Sequence, residues 1–195
     1  MEILSNVWCS LSTENIDLVN ILLIPSVFVE HILVLLLFIN LLNIRCTNKQ
    51  KFLYVTLASI CSIISNSLIP SPFNILFNYL IIFTVIYFIY KQGVVKTLVA
   101  LFLPVLIIAL VNLLIVKIFT ELLNITYLQT ESIPLYRLLY MGIVYITVAF
   151  INFILKHKNL TIKILEDFDK KTKIVVICNF ILGLIAVAIQ GFMIA

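Results

Sequence analysis

The sequence predicts an all-α fold, a polytopic transmembrane helical bundle of about six spans with its N-terminus outside. Three observations predict it. Of the 195 residues, 63% are hydrophobic and only 11% charged, with a mean hydropathy of +1.21. A soluble domain carries about 25% charged residues, so this chain lacks the polar groups to cover a water-facing surface. Its apolar runs are also continuous over about twenty residues, the length a helix needs to cross a bilayer. Barrel strands would instead alternate apolar and polar over about ten residues. Finally, the Lys and Arg residues collect in alternate connections between these runs.

The spans follow in order. The first covers Leu18 to Ile44, interrupted by Pro25 and by Glu30-His31. The second is Phe52 to Ile69, closed by Ile69-Pro70-Ser71-Pro72, because a residue preceding proline avoids the helical region. The third is Phe73 to Tyr90, ended by Lys91-Gln92-Gly93. The fourth is Val94 to Val116, where Pro104 has no N–H to donate and should kink the helix. The fifth is Leu135 to Leu155 and the sixth Ile174 to Ala195. Ala58, Ser62 and Ser65 on the second span stand three and four residues apart, a spacing that favours close helix packing.

Charge sets the orientation. Eleven of the 13 basic residues fall in the first, third and fifth connections or at their edges, and only Lys117 and Arg137 lie on the other side. Cytoplasmic loops carry the excess of Lys and Arg, so the N-terminus is predicted outside. Glu2 and Glu14 with no early Lys or Arg argue against a cleavable signal peptide. The fifth connection, residues 156–173, is a basic cytosolic loop; Ile162, Leu165 and Phe168 suit a short interfacial helix within it. The whole of 1–195 reads as a single membrane domain. Its last residues are those of an apolar helix, so a further span is expected to follow.

Catalytic chemistry is not visible. His31 and His157 are the only histidines, and no H-E-x-x-H, paired-glutamate metal motif or G-x-S-x-G occurs. The four cysteines form no C-x-x-C pair. No cofactor or metal is expected. The net charge of +4 reflects topology rather than nucleic-acid binding, since no basic patch is interleaved with aromatics.

The most conspicuous polar feature is Glu30-His31. A charge deep in a spanning helix costs about 2.5–3.5 kcal/mol and should face the bundle or a wet cavity. If Pro25 marks the start of the true span, Glu30 lies in its outer third and the cost falls. Glu30 is expected to contribute to an outward-facing polar site, opposite Lys117. Asn66, Asn74, Glu121, Tyr127, Glu131, Tyr136 and Arg137 collect at the same outer rim, and Asn112 and Gln190 are placed to bond across helices.

Ile69-Pro70-Ser71-Pro72-Phe73-Asn74, the apolar span running to Tyr90-Lys91, the stretch Pro134-Leu135-Tyr136-Arg137-Leu138, and the segment from Lys173 through Asn179 to Gln190 together resemble a known pattern. It is that of the sensor half of quorum-sensing histidine kinases of the accessory gene regulator C and competence D type, whose kinase half is a GHKL ATPase. The resemblance covers most of Glu30 to Ala195. It implies a bacterial plasma-membrane sensor of an extracellular peptide or small ligand, acting as a homodimer, with Glu30, Pro70, Pro72, Asn74, Glu121, Tyr136 and Arg137 near the sensing face. The chain departs from that family in having neither a phospho-acceptor region nor an ATP-binding motif. A kinase inside with an N-terminus outside requires an odd number of spans. The competing expectation is a six-helix substrate-binding subunit of a transporter, which docks its partner through small-residue surfaces; the 4 glycines here fit that poorly.

Overall fold

A computed structural model describes residues 2–69, 73–91, 93–158 and 175. The described residues form seven helices: α1 (Glu2–Ser12), α2 (Ile16–Leu42), α3 (Asn48–Leu68), α4 (Phe73–Tyr90), α5 (Val94–Leu122), α6 (Tyr127–Ser132) and α7 (Pro134–His157). Helices α2, α3, α5 and α7 are long and apolar enough to cross a membrane, and α4 adds an apolar stretch over Phe77–Tyr90. The first, second, fourth and fifth expected spans therefore fall on α2, α3, α5 and α7, and the third falls on the shorter apolar helix α4. The sixth span and the interfacial helix of residues 156–173 lie outside the described residues, as do Pro70, Pro72 and Gln190.

Local sequence explains the helix ends. Asn15 caps α2, its side chain accepting from the Leu18 N–H at 3.0 Å. Asn43 closes the same helix in the left-handed conformation, φ 51°, and the Ile44 N–H reaches back to the Ile39 carbonyl at 3.1 Å. Thr47 and Gln50 form a reciprocal capping box that starts α3, and Thr126 with Gln129 repeats it at α6. Pro134 opens α7, where the missing N–H would have had no helical partner anyway.

Both prolines within the long apolar runs stand inside helices. Pro25 does not mark the start of the helix: α2 is helical from Ile16 to Leu42 with Pro25 inside it. At 27 residues it is about 40 Å long, and Glu30 stands midway along it. Pro104 likewise lies within α5 without ending it, fully buried.

The core is built around α2. One apolar cluster joins its Leu35, Phe38 and Leu42 to Tyr54 of α3, Ile86 of α4 and Leu101 of α5. A second joins Leu33, Val34 and Leu37 to Ile108 and Phe119 of α5 and Val148 of α7. A helix apolar on all sides belongs in the middle of a bundle, and α2 is packed from both flanks. Ala58, Ser59, Ser62 and Ser65 are buried on α3, so the expected small-residue face is a packing face. Outward-pointing residues such as Phe88, Leu113 and Ile146 are about 70% exposed, as lipid-facing side chains are in the absence of lipid.

The connections sort by charge. Arg45 follows α2, Lys91 follows α4, and Lys156 and Lys158 end α7. Gln50 at the start of α3 donates to the Ile89 carbonyl at the end of α4, so these connections share one end of the bundle, here the basic end. The opposite end holds α6, and there the Asn15 N–H bonds the Ser132 carbonyl at 2.9 Å.

Candidate functional site

Glu30 is exposed despite standing midway along the central helix, because its side chain faces two cavities rather than packed core. The first, of about 310 Å³, lies among α2, α3, α4 and α5, with Glu30, His31, Ser62, Asn78 and Asn112 in its walls. The second, of about 210 Å³, lies among α2, α5, α6 and α7, with Glu30, Asn112, Arg137, Tyr140 and Tyr145. Glu30, Ile108 and Asn112 belong to both, so the two spaces share the walls that these residues form. The larger is at the lower end of the range for small-molecule sites, about 300–1,000 Å³.

Hydrogen bonds between helices fix the walls. Tyr140 on α7 donates to the Asn112 side-chain oxygen on α5 at 3.0 Å. Tyr145 on α7 donates to the Ser26 carbonyl on α2 at 3.1 Å. His31 Nε2 and Ser62 Oγ are 3.0 Å apart across α2 and α3, while His31 Nδ1 is buried and unpartnered among the described residues. Asn78 and Asn74 donate to the Asn66 side-chain oxygen at 2.9 and 3.4 Å. These bonds tie α3 to α4 at the end of the bundle that holds α6.

The charges are arranged differently from the expectation. Glu30 does not face Lys117. Lys117 lies one turn from Glu121 on the exposed face of α5, at 3.8 Å, which takes both out of the cavity. The cation that shares a cavity with Glu30 is Arg137. Arg137 enters from the first turn of α7, and its Nε is buried with no hydrogen-bond partner among the described residues. No ion pair within 4 Å joins Arg137 to Glu30 there. Tyr127, also at this cavity, has its phenol pushed up to about 12, first by its hydrogen bond to Glu131 and then by burial.

Of the residues expected at a sensing face, Glu30 and Arg137 thus come together. Asn74 sits one bond behind the first cavity through Asn66, and Glu121 is on the outer surface. Tyr136, beside Arg137, lines neither cavity. Pro70 and Pro72 lie outside the described residues. Asn112, expected only to bond across helices, does so and also joins the two cavities. Tyr140 and Tyr145 went unnoticed because a tyrosine inside an apolar run carries no local signal of which helix its hydroxyl reaches.

No protein-family model, curated protein or solved structure matches the chain. The chemistry of the site therefore rests on its own geometry: polar, partly charged cavities inside a helical bundle, with the His31–Ser62 contact in the wall of the first and Glu30 with Arg137 in the wall of the second.

Proposed function

We propose that the chain is the membrane-embedded sensor domain of a bacterial two-component signalling kinase of the accessory gene regulator C and competence D type. It lies in the plasma membrane with about six spans, N-terminus outside, acts as a homodimer, and takes up an extracellular peptide or small ligand. The observation that carries this reading is the cavity holding both Glu30 and Arg137. Intramembrane ionisable groups are expensive and mark functional positions. The cavity belongs to the half of the bundle opposite the basic end, which the charge rule assigns to the outside.

The mechanism needs two packings of the bundle with different ligand affinity, because a ligand shifts only an equilibrium it discriminates. Helix α2 contacts both cavities and both core clusters. A ligand seated against Glu30 would thus bias the packing of α2 on α7, and α7 ends at the basic, cytosolic end. Reading the coding frame downstream of Ala195 tests the kinase assignment. A further span, a helical His-containing segment and a GHKL ATPase domain in frame are the expected result. An immediate stop codon overturns it.

One observation favours a second reading, a substrate-binding transport subunit: the charged cavity lies midway along a proline-containing helix, as transporter sites do near the midplane. Locating the termini separates the two, since both termini in the cytosol would support the transporter and sink the sensor topology.

A further inference from the structure

The two charges in the second cavity have a chemical consequence. Glu30 and Arg137 line the same space, yet no ion pair joins them among the described residues. Each is held on a different helix, α2 and α7. An anion alone would satisfy Arg137 and place like charge beside Glu30. A cation alone would do the reverse. A molecule carrying both charges complements both groups at once.

The remaining walls indicate what joins those charges. Asn112, which lines both cavities with Glu30, has its side-chain oxygen engaged by the Tyr140 hydroxyl. Ile108, Met141 and Val144 supply apolar surface, and the cavity's volume of about 210 Å³, below the usual range for drug-sized ligands, limits the occupant to a small molecule, with the adjoining 310 Å³ space sharing its walls at Glu30, Ile108 and Asn112.

We propose that this cavity binds a small zwitterion of the α-amino-acid class with an apolar side chain, its carboxylate on Arg137 and its ammonium on Glu30. The inference rests on the sensor reading only in taking the cavity as the ligand site; binding itself requires no kinase.

The test is thermal unfolding of the full chain in lipid nanodiscs with two matched sets of probes. One set is L-leucine, isoamylamine, which lacks the carboxylate, and isocaproate, which lacks the ammonium. The other is L-phenylalanine, phenethylamine and hydrocinnamate. A ligand that binds only the folded state raises Tm by mass action. At least one amino acid should raise it, with apparent affinity at least tenfold above both of its analogues. Arg137→Gln should abolish the preference for the amino acid over the amine, and Glu30→Gln its preference over the acid. Glu30→Asp keeps the charge and should retain the ranking, which separates lost recognition from lost folding. No amino acid outbinding both of its analogues in either set, or no shift with either amino acid, overturns the zwitterion. A downstream stop codon would remove the kinase assignment and leave this result untouched; failure of both probe sets would leave a sensor for some other ligand.

Discussion

Asn40 on α2 donates its side-chain amide to the side-chain oxygen of Asn152 on α7. This bond lies toward the basic end of the bundle, ten residues along α2 from Glu30. With the Tyr145 bond to the Ser26 carbonyl, it pins α2 to α7 on both sides of Glu30 along α2. A change in the cavity that moves one helix against the other must strain one of these two bonds.

Asn40→Leu and Asn152→Leu should each destabilise the bundle, because each strands the other amide in an apolar setting. Interhelical hydrogen bonds in membranes average about 0.6 kcal/mol and reach about 1.7. The double substitution should cost less than the sum of the singles. Unfolding by SDS in mixed micelles measures all four variants. Strict additivity would show that the two amides do not act as a pair.

Ser62→Ala should cost about 1–3 kcal/mol, the penalty for leaving a buried polar group unpaired. His31 already has one unpartnered ring nitrogen, and Ser62 holds the other at 3.0 Å. Its ring also packs edge-on against Tyr54, centroids 6.2 Å apart. His31→Phe added to Ser62→Ala keeps an aromatic ring against Tyr54 and removes the stranded nitrogen. That double variant should regain most of the lost stability in the same micelle assay; failure to do so would place the cost of Ser62→Ala elsewhere.

The helices were legible because continuous apolar runs between proline and lysine punctuation admit little besides helices, and four of them are long and apolar enough to cross a membrane. The third expected span, Phe73 to Tyr90, has the same bounds as α4. Helices α1 and α6 were not foreseen. Glu2–Ser12 is too short and too polar to register as a span, and six residues of α6 show little periodicity, although Thr126 and Gln129 carried its capping signature. The site was legible only in part. Glu30 and Arg137 stood out as charges in apolar surroundings, but which charge faces Glu30 depends on the packing of α2 against α7, and no local pattern encodes that. Lys117 was the wrong partner because Glu121, one turn away, was closer.

Glu121→Gln should alter stability by less than about 0.5 kcal/mol, the usual worth of an i,i+4 pair. Both side chains of the Lys117–Glu121 pair are about two-thirds exposed, and their atoms are 3.8 Å apart. The substitution should also leave discrimination between leucine, isoamylamine and isocaproate unchanged. A change in that ranking would bring Glu121 back to the ligand site and contradict its outward position.

Cys46 should react more slowly than an ordinary thiol. It follows α2 at the basic end, half-buried, with its thiol directed to the Ile44 carbonyl at 3.7 Å. Burial pushes its pKa up, and the nearby Lys51 ammonium, which favours the thiolate, offsets only part of that effect. Alkylation proceeds through the thiolate, so at any given pH the folded protein holds less of the reactive form. With Cys9, Cys61 and Cys178 replaced by Ser, the rate-against-pH curve for iodoacetamide should lie at higher pH in folded protein than in SDS-unfolded chain. Lys51→Gln removes the offsetting charge and should move the folded curve further up while leaving the unfolded curve in place. Coincident folded and unfolded curves would mean that Cys46 is fully hydrated and that the turn after α2 is open to water.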